Sequence, residues 1–191
     1  MNLAADKLRP HDPLEYAKLL EWATGAKSVL EIGSRYGYTL VDLAHMMDGK
    51  GTIVAIDLPG KFPWGEPGSY MDLKANVKTL IEEGYNAMLF LDDSHDFARI
   101  VETNYLGPFD FIFIDGDHTY EGARADWENY GLKGKTVVFH DIVRPKPSER
   151  QDLGVWRLWG EIKRDFKTEE FIAPDSKMGI GKVMLGKVTL G

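Results

Sequence analysis

Two stretches of this chain, FDFIFIDGDH (Phe109 to His118) and TVVFHDIV (Thr136 to Val143), run through apolar residues and stop abruptly at Asp and His side chains. Short apolar runs of this kind read as strands buried on both faces, as in parallel sheets covered by helices. Asp115, His118, His140 and Asp141 then stand at the carboxyl ends of strands. Ligands of open α/β sheets bind along that edge, so the pattern points to a site as well as to a fold.

The rest of the chain alternates in the same way. Leu14 to Ala23 has helical spacing (Leu14, Ala17 and Leu20, with Trp22 nearby), and Gly25 suits a helix stop. SVLEI (Ser28 to Ile32), TIVAID (Thr52 to Asp57), NAMLFLD (Asn86 to Asp92), Phe109 to Ile114 and Thr136 to His140 are the expected strands. Helices are expected at Tyr38 to Met47, from a Ser69 cap to about Glu83, Ser94 to Asn104, Tyr120 to Tyr130 and Leu153 to Phe166. Repeated β-then-α units imply a doubly wound, mostly parallel α/β sheet with right-handed crossovers. Two late β segments, Thr168 to Ala173 and Ile180 to Leu185, have only a Gly-containing turn between them and should form an antiparallel C-terminal edge pair.

Composition narrows the function classes. A chain of 191 residues suits one domain, residues 1–191, with a full core. The absence of cysteine removes disulfides, thiolate metal sites and thiol nucleophiles, so any metal must be held by oxygen or imidazole. A net charge of −7 with no basic run argues against nucleic acid as partner. No apolar run spans a bilayer and the polar N-terminus does not read as a signal peptide, so the expectation is a cytoplasmic protein without a membrane partner.

The turn after the first strand, EIGSRYGYT (Glu31 to Thr39), places Gly33 and Gly37 where the backbone must bend sharply or approach a ligand. Glu31 at the strand tip can accept hydrogen bonds from an amine or hydroxyl. The spacing G-x-x-x-G is not the G-x-G-x-x-G of a dinucleotide site, which disfavours a NAD-linked oxidoreductase. A plain tight turn is the competing reading. Asp57 ends the second strand about twenty residues beyond the glycines, where an acid reaches a ribose diol.

Taken together, VLEIGSRYGYT, Asp57, DDSHD (Asp92 to Asp96), FIDGDH and VVFHD resemble the class I S-adenosylmethionine-dependent methyltransferases, which are Rossmann-like. Within them the chain resembles the metal-dependent small-molecule O-methyltransferases, of the catechol type and of the macrolide sugar and cephalosporin-hydroxylase-type families. The resemblance runs from about Val29 to Asp141, with GVWRLWGEIK (Gly154 to Lys163) similar to a later helix. It implies that Glu31 and the turn from Gly33 through Ser34 to Gly37 and Tyr38 hold the methionine part of S-adenosylmethionine, with Asp57 on the ribose. Asp93, Ser94 and His95 would lie beside the adenine, with Asp115 at the end of the cofactor site. Asp115, His140 and Asp141 would hold a divalent metal such as Mg, Mn or Fe, and His118 would be the general base.

At His140 the relatives more often carry a carboxylate. Imidazole suits Mn, Fe, Ni or Zn better than Mg. His118 could instead cap a helix or ligate metal. The reaction this implies is methyl transfer to a hydroxyl of a small molecule, with a sugar moiety as one candidate. The absence of a D/N-P-P-Y/F sequence after the fourth strand disfavours exocyclic amines as acceptors. One alternative is an Fe(II)-type hydroxylase using His118, His140 and an Asp; another is a non-catalytic S-adenosylmethionine-binding module.

Blander readings apply elsewhere. Trp127, Trp156 and Trp159 sit at helical positions and are expected in the core, whereas Trp64 in the Gly/Pro-rich loop could contact cofactor or substrate. Arg144, Lys146 and Arg150 follow the fifth strand and could meet an acidic substrate. Lys177, Lys182 and Lys187 are expected on the exposed face of the edge hairpin. The N-terminal cover is short, so the acceptor pocket is open, or is completed by a second copy of the chain or by the Phe62 to Tyr70 loop.

Overall fold

The computed structural model describes residues 11–58, 69–149 and 152–186. Trp64, Arg150 and Lys187, with most of the Phe62 to Tyr70 loop, lie outside them. In chain order the elements are α1 (Pro13–Ala23), β1 (Ser28–Ile32), α2 (Tyr38–His45), β2 (Thr52–Asp57), α3 (Ser69–Glu82), β3 (Asn86–Leu91) and α4 (Phe97–Leu106). They continue with β4 (Phe109–Ile114), α5 (Tyr120–Asn129), a short 3-10 turn (Gly131–Lys133), β5 (Gly134–His140), α6 (Val155–Asp165), β6 (Lys167–Phe171) and β7 (Ile180–Met184).

The sheet order is β3-β2-β1-β4-β5-β7-β6. The first five strands pair in parallel, and β7 runs antiparallel to both β5 and β6. This is the doubly wound, Rossmann-like sheet with an antiparallel edge that the residue pattern predicts. Alternate strand residues feed two apolar layers. Val29, Ile53, Ala55, Phe111 and Phe113 pack under α1, α2 and α3, while Leu30, Ile32, Val54, Ile112 and Phe139 pack under α5 and α6. Burial on both faces explains why the strand sequences lack polar alternation.

Helix α6 meets the sheet through Val155, Leu158, Trp159 and Ile162, one stripe at helical spacing. Trp159 and Trp127 are core residues as expected; Trp156 is only half-buried and lies under the Arg144 guanidinium, 4.9 Å from its ring centre. Two other expectations need correction. The buried face of α1 is Glu15, Tyr16, Leu19 and Ala23, whereas Leu14 is exposed. A buried glutamate hides that face from apolar periodicity: Glu15 Oε1 accepts the Ala173 N–H at 3.1 Å and ties α1 to the connection between β6 and β7. Lys182 is largely covered, because its ammonium sits 2.6 Å from Glu169 and over the Trp22 ring.

Helix starts also shift by a few residues where a cap decides them. Asp96 caps α4 by accepting from Ala98 N and Arg99 N, so Ser94 and His95 belong to the preceding turn. Ser69 lies in the first turn of α3 and is buried there.

Candidate active site

Strand order reverses between β1 and β4, which leaves a crevice at their carboxyl ends. The turn after β1 lies against the turn after β4 so closely that a Cβ on Gly33 would come 2.2 Å from the Asp115 carbonyl oxygen. Gly33 has φ of +89°, so both its conformation and its neighbour require glycine. The turn is pinned on either side by Gly33 N–H to Ile56 O and Asp115 N–H to Ile32 O, each 2.9 Å. Gly37 then starts α2 with φ of +80°, its N–H on Ser34 O, and Tyr38 is the first helical residue.

Glu31 projects from β1 into the layer beneath the first three helices. It is 1% exposed, and neither carboxylate oxygen has a hydrogen-bond partner among the described residues. Burial pushes its pKa up to about 8, with the charges of Asp115, Asp57 and Asp42 acting in the same direction. Asp57 at the tip of β2 accepts the Arg35 N–H at 2.7 Å. Burial raises it to about 6 against the pull of the Arg35 and Ser34 backbone N–H groups. Two carboxylates with raised pKa values therefore flank the glycine turn, one of them unpartnered.

Asp93, Ser94 and His95 follow β3. Asp93 is exposed and accepts the His95 N–H, while the Ser94 hydroxyl donates to Asp126 Oδ1 at 2.7 Å and His95 Nε2 lies 3.3 Å from the same oxygen. Asp126, fully buried on α5, is thus the anchor of this turn. Its position in the middle of an unremarkable helical stretch carries no signal in the sequence.

The second cluster stands at the tips of β4 and β5. His118 Nδ1 lies 2.6 Å from Asp141 Oδ2, and His140 Nδ1 lies 3.2 Å from Asp115 Oδ1. Asp141 adopts φ of +60°, a left-handed conformation open to Asp, which follows the end of β5 directly. His118 is not a helix cap: Thr119 fills that role by accepting the Gly122 N–H at 3.0 Å. The His118 carbonyl accepts the Gly154 N–H at 2.7 Å, which fastens the residue to the start of α6.

Sequence reasoning missed His11. It precedes the Asp12 cap of α1, and its ring lies against Tyr16, Phe113 and His140. Its Nδ1 is 3.3 Å from His140 Nε2, and its Nε2 is 3.7 Å from Asp115 Oδ2. Burial lowers the His11 pKa to about 4, so this imidazole is neutral. Burial would lower His140 too, but the Asp115 and Asp141 charges outweigh it and raise that pKa. Asp115, despite burial, is held well below the usual carboxylate range by His140, His11 and His118. For His118, burial is outweighed by the Asp141 hydrogen bond and the nearby carboxylates, which raise its pKa.

A divalent metal fits this chemistry. Two triads, His11-Asp115-His140 and Asp115-His118-Asp141, each bring three donor atoms within 4.8 Å of one another. Asp115 Oδ1 is buried and, with His140 Nδ1 3.2 Å away, accepts no well-aligned hydrogen bond among the described residues.

Beside His118 a cleft of about 480 Å³ is lined by Thr119, Tyr120, Arg144, Leu153, Trp156 and Arg157. Arg157 lies over the Tyr120 ring at 4.5 Å, as Arg144 does over Trp156. Lys146, also expected in this region, uses its backbone N–H to bind Glu149. Lys177 pairs with Glu149 at 2.8 Å and is exposed as expected.

A family model described as a methyltransferase domain matches residues 30–142, more than half of the chain and all of the strand tips above. The chain belongs to that family. No curated protein matches this methyltransferase. Among solved structures it is similar to an O-methyltransferase from Bacillus cereus in complex with SAH, at a TM-score of 0.67 and 20% identity, covering 95% of this chain and 86% of that one. It is also similar to TomG from Streptomyces achromogenes, an O-methyltransferase involved in tomaymycin synthesis and solved with SAM (TM-score 0.63, 17% identity, 94% and 82% covered). The N-terminal domain of EvdMO1, in the presence of SAH and D-fucose, gives 0.59 at 14%, with 92% and 84% covered. At these identities the likeness is one of fold, and the methyltransferase shares that fold over nearly its full length.

Proposed function

We propose that this methyltransferase transfers a methyl group from S-adenosylmethionine to a hydroxyl of a small molecule, with a divalent metal at the acceptor. One observation carries the reading: at a single sheet edge, a buried Glu31 carboxylate with no partner among the described residues stands near the tip of β1, and an Asp141-held imidazole stands just past the tip of β4. Glu31 would take the ammonium of the cofactor, and Asp57 its ribose. Ser94 and His95, braced by Asp126, would border the adenine. The bound cofactor supplies a methyl group on a sulfonium, ready for in-line displacement. Asp115, His140 and Asp141 would hold the metal, which supplies a lower pKa to the acceptor hydroxyl.

The residues of this chain then govern the proton. Asp141 on His118 Nδ1 fixes the ring so that Nε2 is the nitrogen available to the acceptor. As the acceptor oxygen bonds to the methyl carbon, the bond from that carbon to sulfur breaks and the hydroxyl proton passes to His118 Nε2. The products are the methyl ether, S-adenosylhomocysteine and a proton. Arg144 and Arg157 in the adjoining cleft favour an acceptor that carries an acidic group or a polyhydroxylated ring, a sugar among them.

The Fe(II)-type hydroxylase reading needs His118 as a ligand beside His140; both flank Asp115 Oδ1, at 3.9 and 3.2 Å, but the shortest contact of His118 is with Asp141 Oδ2 at 2.6 Å, which favours the base role. The test is methyl transfer from labelled S-adenosylmethionine across a set of hydroxylated acceptors, with and without chelator. Chelator should abolish turnover and leave cofactor binding intact. Full turnover in excess chelator would overturn the metal part of the proposal, and failure to bind S-adenosylmethionine would overturn the whole.

A further inference from the structure

We propose that His11, contributed by the segment that opens α1, is a ligand of the metal: His11, Asp115 and His140 form its seat, and Asp141 serves His118. This rests on the metal-dependent reading above and moves the third ligand from Asp141 to His11.

The distances favour that division. Donors bound to one transition-metal ion at about 2.0–2.2 Å stand roughly 3–3.5 Å apart. One donor atom from each of His11, Asp115 and His140 lies within 4.8 Å of the other two, a wider spacing that a shared ion would draw in. By contrast, the His118–Asp141 contact at 2.6 Å is shorter than the others in the cluster and already closed. That contact occupies Asp141 Oδ2 and leaves only Oδ1, 3.6 Å from His140 Nδ1, for an ion.

His11 is also built into place. Its side chain is 4% exposed, its ring stacks on Tyr16 with planes 16° apart, and Phe113 closes another side. Asp12 caps the helix that follows by accepting the Leu14 N–H at 2.8 Å, and Glu15 anchors that helix to Ala173. A histidine with no task at the strand tips would not need such support 129 residues away from its partner. Two imidazoles and a carboxylate select a transition metal such as Mn, Fe, Co or Zn over Mg. The ion would also clamp α1 onto the sheet edge.

The test uses the full chain stripped of metal and titrated with Co²⁺, Zn²⁺ and Mg²⁺, followed by calorimetry and by the visible absorption of Co²⁺. One Co²⁺ per chain should bind, more tightly than Mg²⁺. His11→Ala should weaken Co²⁺ by roughly tenfold or more and change its visible spectrum, while Asp141→Asn should keep the wild-type spectrum. Retained S-adenosylmethionine binding reports that each variant is folded. A spectrum unchanged in His11→Ala, or lost in Asp141→Asn, overturns the assignment of His11 while the metal-dependent reading stands. If the wild-type chain binds none of the three ions, that reading itself falls. Hydrogen exchange on the wild-type protein needs no variant: Co²⁺ should slow the amides of α1, and unchanged exchange there also overturns the proposal.

Discussion

Glu31 should release a proton when the cofactor binds. The carboxyl is buried, has no hydrogen-bond partner among the described residues, and is pushed by burial up to about 8, against 4.5 ordinarily. At pH 7 a group with that pKa is about nine-tenths protonated. An ammonium placed against it would favour the carboxylate and expel that proton. Calorimetry of S-adenosylmethionine binding in buffers of different ionisation enthalpy should therefore report about 0.9 proton released per cofactor at pH 7, falling toward zero above pH 9. In Glu31→Gln the release should vanish and affinity should drop. The same shift bears on stability. Because the folded pKa is raised, Glu31 favours the fold below about 4.5, and this contribution is lost as pH rises through about 8. The difference reaches about 3 kcal/mol by pH 7. Thermal unfolding of the cofactor-free protein should show that decline, and Glu31→Gln should flatten it. Binding that is independent of buffer, or equal proton release in the variant, would refute the placement of the ammonium on Glu31.

Asp57, raised to about 6 by burial, must ionise to accept both ribose hydroxyls, so S-adenosylmethionine affinity should weaken as pH falls through about 6. Asp57→Ala should cost about 1.5–3 kcal/mol of cofactor binding by calorimetry, and unchanged affinity would remove it from the site. His118→Ala should lower kcat by roughly 10²–10⁴-fold with little change in cofactor affinity. A loss of bound metal in that variant would instead make His118 a ligand.

The sheet was legible because its strands are buried on both faces, so β1, β2 and β4 stand out as apolar runs with sharp ends. The candidate site residues stand out in the same way at the ends of β4 and β5, where Asp115, His140 and Asp141 follow an apolar run. What the sequence concealed depends on contacts between distant segments. His11 reaches the site only because the chain entering α1 lies against Phe113 and His140, and α1 packs through Glu15, a residue that hydrophobic periodicity assigns to solvent. The turn holding Ser94 and His95 depends on Asp126 in the same way. Local caps account for smaller differences, as with Asp96 at the start of α4.

The crevice divides its chemistry between two pairs of strands. Glu31 and Asp57 on β1 and β2 present carboxylates whose pKa values are raised by burial, with no cation among the causes, an arrangement suited to an incoming cation. Asp115 and Asp141 on β4 and β5 are already surrounded by imidazoles, and Asp115 stays ionised despite equal burial. The same residue type is thus set to opposite protonation states by its neighbours alone: under the proposed function one carboxylate would meet a ligand's charge and the other would hold a metal. The two halves touch where Gly33 meets the Asp115 backbone, at a distance that excludes any side chain. That contact sets the spacing between Glu31 and Asp57 on one side and the imidazole cluster on the other. Methyl transfer to a hydroxyl would need such fixed spacing, because donor carbon, acceptor oxygen and base must lie in reach of one another at once.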